Sequence, residues 1–129
     1  MARFDFATKR LKLEFPNCSY TINVDSVVKA RTEEVSQWAC EKAKAFSGKE
    51  NTNDIEKIFT DITSEVCEKI DILLGQKGAS KEILGERLDI DATSTYFDAV
   101  DIMNFIIREI RASWQNSISE RLGGKGTKK

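Results

Sequence analysis

Residues 55–75 read IEKIFTDITSEVCEKIDILLG, and this stretch decides the class of the fold. Ile55, Ile58, Phe59, Ile62, Val66, Ile70, Leu73 and Leu74 recur in steps of three and four, the spacing that lines one face of an α-helix. Gly75 stops the pattern, as glycine does where a helix closes in a left-handed turn. A stripe this regular has to be buried, so the chain is organised around helices. Just upstream, Asn53 followed three residues later by Glu56 resembles a capping box, and the polar run from Gly48 to Thr52 is the linker before it.

Toward the amino terminus, Asp25 or Ser26 is placed to cap another helix that runs to about Ser47, with Gly48 as its stop. Val28, Val35, Trp38, Ala39, Ala45 and Phe46 fall near one stripe of it, a thin one on a highly charged helix. Ahead of that helix, residues 10–15 (RLKLEF) and 19–24 (SYTINV) both alternate polar with apolar around Pro16-Asn17, which predicts a β-hairpin over 10–24. Leu11, Leu13 and Phe15 share one face, as do Tyr20, Ile22 and Val24. A lone hairpin is marginal in water, so these faces require helices or another subunit to cover them.

Toward the carboxyl terminus, Gly78 and Gly85 bracket a short connecting helix with Ile83 and Leu84 turned inward. Thr93, Ser94 or Thr95 then caps a last helix to about Leu122, with Asp98 near its positive end. Tyr96, Ala99, Val100, Met103, Ile106, Ile107, Ile110, Trp114 and Ile118 form its inner stripe, yet Phe97, Ile102 and Phe105 fall off it. A helix apolar over most of its circumference must be surrounded by protein. Two readings follow: it is the central helix of the monomer, or Phe97, Ile102 and Phe105 form a second face for a subunit or client. These three are the candidate protein-binding residues.

The expected fold is therefore mainly α (α+β), an N-terminal β-hairpin followed by three main helices and one short connecting helix. The chain has 129 residues, enough for one core, so residues 1–122 are expected to form a single domain, with 10–24 the hairpin and 26–122 helical. Residues 123–129 (GGKGTKK) contain no apolar residue and read as a flexible basic tail.

Composition restricts the chemistry. Hydrophobic residues make up 40% and charged residues 32%, an ordinary globular balance. Twenty basic and twenty-one acidic residues leave a formal charge of −1, so no global field gathers nucleic acid or an anionic membrane. The start of the chain lacks an apolar signal-peptide core and no apolar run reaches membrane-spanning length, so a cytoplasmic location is expected. There is no histidine, which removes the commonest general base and metal ligand. The glycines form no phosphate-binding loop.

Cys18, Cys40 and Cys67 match neither a disulfide framework nor a CxxC pair and read as reduced thiols, the latter two as small hydrophobes on or beside helical stripes. Asp89-Ile90-Asp91-Ala92-Thr93 mimics the opening of a calcium loop. It has Ser94 where the turn needs glycine and Val100 where it needs glutamate, so the residues read as a solvated helix entrance. The many carboxylates, Asp61, Glu65 and Asp71 among them, sit on polar helix faces as partners for lysines. No catalytic residue, metal site, cofactor or small-molecule substrate is expected, and the chain reads as a binder of proteins.

The ordered features between residues 70 and 110 resemble the tail assembly chaperones of long-tailed, siphovirus-like phages and prophages of Gram-positive bacteria. Ile70-Asp71-Ile72-Leu73-Leu74-Gly75-Gln76-Lys77-Gly78-Ala79 is similar to that family's helix end and "LGxGA" turn. Lys81-Glu82-Ile83-Leu84-Gly85-Glu86-Arg87 resembles its "xKIFGxR" turn of helix, and residues 98–110 (DAVDIMNFIIREI) its "DxLDVLxFIIEEI" helix. Gln76 stands where an acidic residue is common, and Leu84 where an aromatic is. With the hairpin, the resemblance spans about residues 10–118.

What the resemblance implies is a chaperone in the bacterial host cytoplasm, expected to be absent from the mature virion. It would bind the tape measure protein and help recruit tail tube subunits during tail morphogenesis, as a homo-oligomer and without a cofactor. The family often carries a programmed frameshift near the end of the gene, which makes the Gly124-Lys125 and Lys128-Lys129 codons candidate slippery sites. The alternatives are a small structural phage morphogenesis or connector protein, or a generic helical protein-interaction module.

Overall fold

The computed structural model describes residues 2, 9–46, 55–89 and 91–123. Strand β1 (Lys9–Phe15) pairs antiparallel with β2 (Cys18–Val24), and α1 (Ser26–Phe46), α2 (Ile55–Leu74), α3 (Ala79–Leu84), a 3-10 turn over Gly85–Asp89 and α4 (Ala92–Arg121) follow. The mainly helical class with an N-terminal hairpin is as the sequence leads one to expect. The Gly48 stop, the polar linker, the Asn53 cap and the tail beyond Gly123 lie outside the described residues.

The hairpin register sets Leu11 opposite Ile22, Leu13 opposite Tyr20 and Phe15 opposite Cys18, so one face collects every apolar side chain. Leu13, Ile22 and Val24 are buried on it. That face packs on α4, α1 and α2 of the same chain.

Asp25 caps α1, its carboxylate accepting the Val28 N–H at 2.9 Å. Among the described side chains of this helix, Thr32 and Val35 alone are buried. Thr32 tolerates burial because its hydroxyl donates to the Val28 carbonyl at 2.8 Å. Ala45, expected on the stripe, is exposed.

Helix α2 buries Phe59, Ile62, Thr63, Val66, Ile70, Leu73 and Leu74, the face read from its periodicity. Its main partner is α4, which buries Ala99, Met103, Ile106, Ile107 and Ile110 against it. Fully burying an aliphatic side chain of this size contributes about 1.5–3 kcal/mol, so this seam holds the fold. Phe59 meets Tyr96 and Phe97 at ring distances of 5.0 and 6.1 Å, so α2 and α4 begin at the same end of the molecule and run in the same direction. Helix α1 runs against them, with Lys42 on Glu65 at 3.1 Å and Lys69 over the Trp38 ring at 5.2 Å.

Two helices pointing the same way need a return connection, and residues 75–91 supply it. Gly78 sits at φ 87° and Gly85 at φ 54°, backbone conformations costly for any residue with a Cβ, and between them lies the one-and-a-half-turn α3. Ile83 and Leu84 are buried as expected. The α3 amino terminus is held by Asp71 from the end of α2, whose carboxylate accepts the N–H groups of Gly78 at 3.0 Å and Ser80 at 2.8 Å. At the other end, Asp91 caps α4, accepting from the Ser94 N–H at 2.8 Å and the Ser94 hydroxyl at 3.0 Å. The capping role expected for Thr93, Ser94 or Thr95 therefore falls to Asp91, and those three form the first turn. Thr95 instead ties the 3-10 turn down, donating to the Arg87 carbonyl at 2.8 Å.

Candidate interaction surface

Phe97, Ile102 and Phe105 do not form one surface. At about 100° per residue, Ile102 and Phe105 lie about 60° apart on one flank of α4, and Phe97 lies about 80° further round. Ile102 and Phe105 are half-buried against the core. Phe105 is covered by the hairpin, its ring meeting that of Phe15 edge-on at 5.7 Å, and Phe15 in turn meets Tyr20 at 6.3 Å. The protein that surrounds α4 on this side is thus its own β-hairpin. The central-helix reading describes Ile102 and Phe105; Phe97 alone keeps a free aromatic face.

Phe97 is 55% exposed and projects among Asp101, Asn104 and Arg108, the polar face of α4. It sits in a satellite cluster with Phe59 and Tyr96, outside the main core, its ring 5.3 Å from that of Tyr96. Desolvation raises the Tyr96 phenol above its ordinary value. An exposed ring backed by two others is a preformed apolar contact that loses little freedom on binding.

The hairpin is latched at its turn to α3. The Asn17 side-chain amide donates to the Glu82 carbonyl at 2.6 Å, and the Tyr20 hydroxyl donates to the Glu82 carboxylate. Burial, reinforced by that bond, pushes the Tyr20 phenol well above its usual range, so it remains a donor at every physiological pH. A Cβ on Gly85 would come within 3.3 Å of the Asn17 amide, so the latch and the α3 stop occupy the same space. Neither partner of this contact could be paired from sequence alone, because residues 17 and 82 meet only through the fold.

A second electrostatic tie joins α1 to α4. Arg111 donates to both Glu33 oxygens, at 2.9 and 3.0 Å, and to the Ser36 hydroxyl at 2.9 Å. Hydrogen bonding by Arg111, outweighing partial desolvation and aided by Lys29, draws the Glu33 carboxyl down to about 2. Beyond this tie, α1 and α4 frame an open groove of about 460 Å³ floored by Ile62 and Val66 of α2. A second recess, of about 570 Å³, separates α2 from the return connection and is lined by hydroxyls and by Glu68, Asp71 and Asp91. The latter two of those carboxylates are already the caps of α3 and α4.

Cys18, Cys40 and Cys67 are free thiols. Burial raises the thiols of Cys18 and Cys67, which keeps both protonated and weakly nucleophilic. Cys40 is exposed rather than part of a buried stripe, because it faces the open groove between α1 and α4. Among the described residues no group of three or more acidic or cysteine side chains is placed to hold a metal ion, and no helix is long and apolar enough to cross a membrane. No protein-family model, no curated protein and no solved structure matches this chain.

Proposed function

We propose that this protein is a tail assembly chaperone of a long-tailed phage or prophage, which binds the tape measure protein in the host cytoplasm and helps recruit tail tube subunits around it. The observation that carries the reading is the resemblance over residues 70–110. Its glycines at 75, 78 and 85 all have positive φ, at 68°, 87° and 54°, so the motif is one of backbone geometry. The helix end, the short α3 and the long α4 are thereby set in a fixed order behind a hairpin, the order the resemblance implies.

Two physical features agree with binding rather than catalysis. Phe97 presents an aromatic contact at no cost in core packing, and the α1–α4 groove presents an apolar trough. Both suit an apolar, aggregation-prone client that must be covered until tube subunits replace the cover. The work requires no cofactor, and repeated copies along a long client follow from the same logic.

Co-expression with a tape measure protein from the phage or prophage that carries this gene tests the reading. The chain should keep that protein in the supernatant and co-purify with it, and mass spectrometry of finished virions should not find the chain. A tape measure protein that stays soluble alone and never co-purifies would refute the proposal. The chain as a stoichiometric virion component would favour a connector.

A further inference from the structure

The chemistry of the groove between α1 and α4 selects an occupant. Its floor is Ile62 and Val66 of α2 with Met103 and Ile107 of α4. Along α4 its lining includes Tyr96, Val100, Met103, Ile107 and Arg111, steps of four, three, four and four. Such a seam is where a further helix packs, and at ~1.5 Å per residue it is about 22 Å long. Both walls are helices whose backbone groups are bonded internally, so an extended peptide would find no strand edge to pair with, whereas a helix brings its own hydrogen bonds.

The rim supplies the sign. Among the described residues Lys42, Arg108 and Arg111 line the groove and no carboxylate does, although the whole chain carries one more acid than base. Lys42 and Arg111 each have one carboxylate partner set outside the lining, Glu65 and Glu33. Arg108 meets only its chain neighbour Glu109, at 3.9 Å, among the described residues. Its guanidinium rests over the Phe105 ring at 5.6 Å, an exposed contact that leaves the charge able to turn toward a ligand.

We propose that this groove seats one amphipathic helix with acidic flanks, contributed by a partner protein, as the fourth helix of a bundle with α1, α2 and α4. The proposal rests on reading the chain as a binder of a helical client, and adds where that helix lies and what charge it bears. Its apolar seam covers Met103 and Ile107, and its carboxylates face Arg108 and Lys42.

The probe is a designed peptide of about three heptads with a leucine and isoleucine seam and glutamate flanks, compared with a twin carrying lysine flanks. Each is titrated into the full chain carrying Trp114→Phe, which leaves Trp38 at the groove edge as the reporter. The acidic peptide should shift Trp38 emission and lose affinity as salt is raised, and the lysine twin should bind at least ~10-fold more weakly. Arg108→Glu should weaken the acidic peptide ~10-fold and favour its twin, with the melting temperature unchanged.

Equal binding of the two peptides, no binding of the acidic one, or indifference to Arg108→Glu would each overturn the proposal. So would a dimer in sedimentation that Arg108→Glu dissolves and the peptide cannot displace, since the occupant would then be a second copy. If the peptides fail while the tape measure protein still co-purifies with Arg108→Glu, the groove assignment falls and the chaperone reading stands.

Discussion

At the scale of single residues, the side chains that fix this structure are carboxylates used as caps. Asp71 holds two N–H groups at the start of α3, so Asp71→Ala should lower stability by about 1–2 kcal/mol in urea denaturation at neutral pH, with Asp71→Asn recovering part of the loss. Glu33 gives a pH signature. Its folded carboxyl lies near 2 against an ordinary value of 4.5, so its contribution is fully present above about pH 4.5 and is lost as pH falls toward 2. The side chain is 44% exposed, so screening holds that contribution to under about 1 kcal/mol. Glu33→Gln should therefore flatten the acid limb of stability against pH between about 4.5 and 2, and it should lose its effect in high salt. Asp25 was legible as a cap because its partner is three residues ahead. Asp71 was not, because the groups it satisfies lie beyond a turn whose path the sequence pattern does not define.

Among elements, α2 and the hairpin could be read directly, since periods of three-to-four and of two leave no competing assignment when both faces are so cleanly divided. What periodicity does not reveal is which element covers which face. Ile102 and Phe105 stand off the inner stripe of α4 because a different layer, the hairpin, packs there; the stripe and the flank are two interfaces of one helix. Phe105→Asp should accordingly cost about 2–4 kcal/mol and raise hydrogen exchange throughout residues 9–24. Phe97→Asp should stay within about 0.5 kcal/mol of the parent while weakening client co-purification. A Phe97→Asp variant that unfolds would make the aromatic cluster core and remove it from the candidate surface. Because α1 buries only Thr32 and Val35 among its described side chains, its amides should exchange faster than those of α2 and α4 under native conditions.

At the scale of the whole molecule, the arrangement of α2 and α4 in the same direction makes the return connection the controlling segment. Gly85→Ala strains the backbone at the α3 stop and crowds the Asn17 amide at once, so it should loosen the hairpin as well as the connector, seen as joint loss of protection at Tyr20 and Leu84. The hairpin itself has a temporal consequence. Its docking partner for Phe15 is Phe105, so the hairpin can close on α1, α2 and α3 as they follow it but completes its cover only once α4 has been made. At roughly 5–20 residues per second, that is a wait of several seconds during translation, in which the Phe15 side of the hairpin lacks its α4 cover. Docking of the hairpin is thus finished last on its Phe15 side, and a chain cut short before α4 would carry its own aggregation signal there.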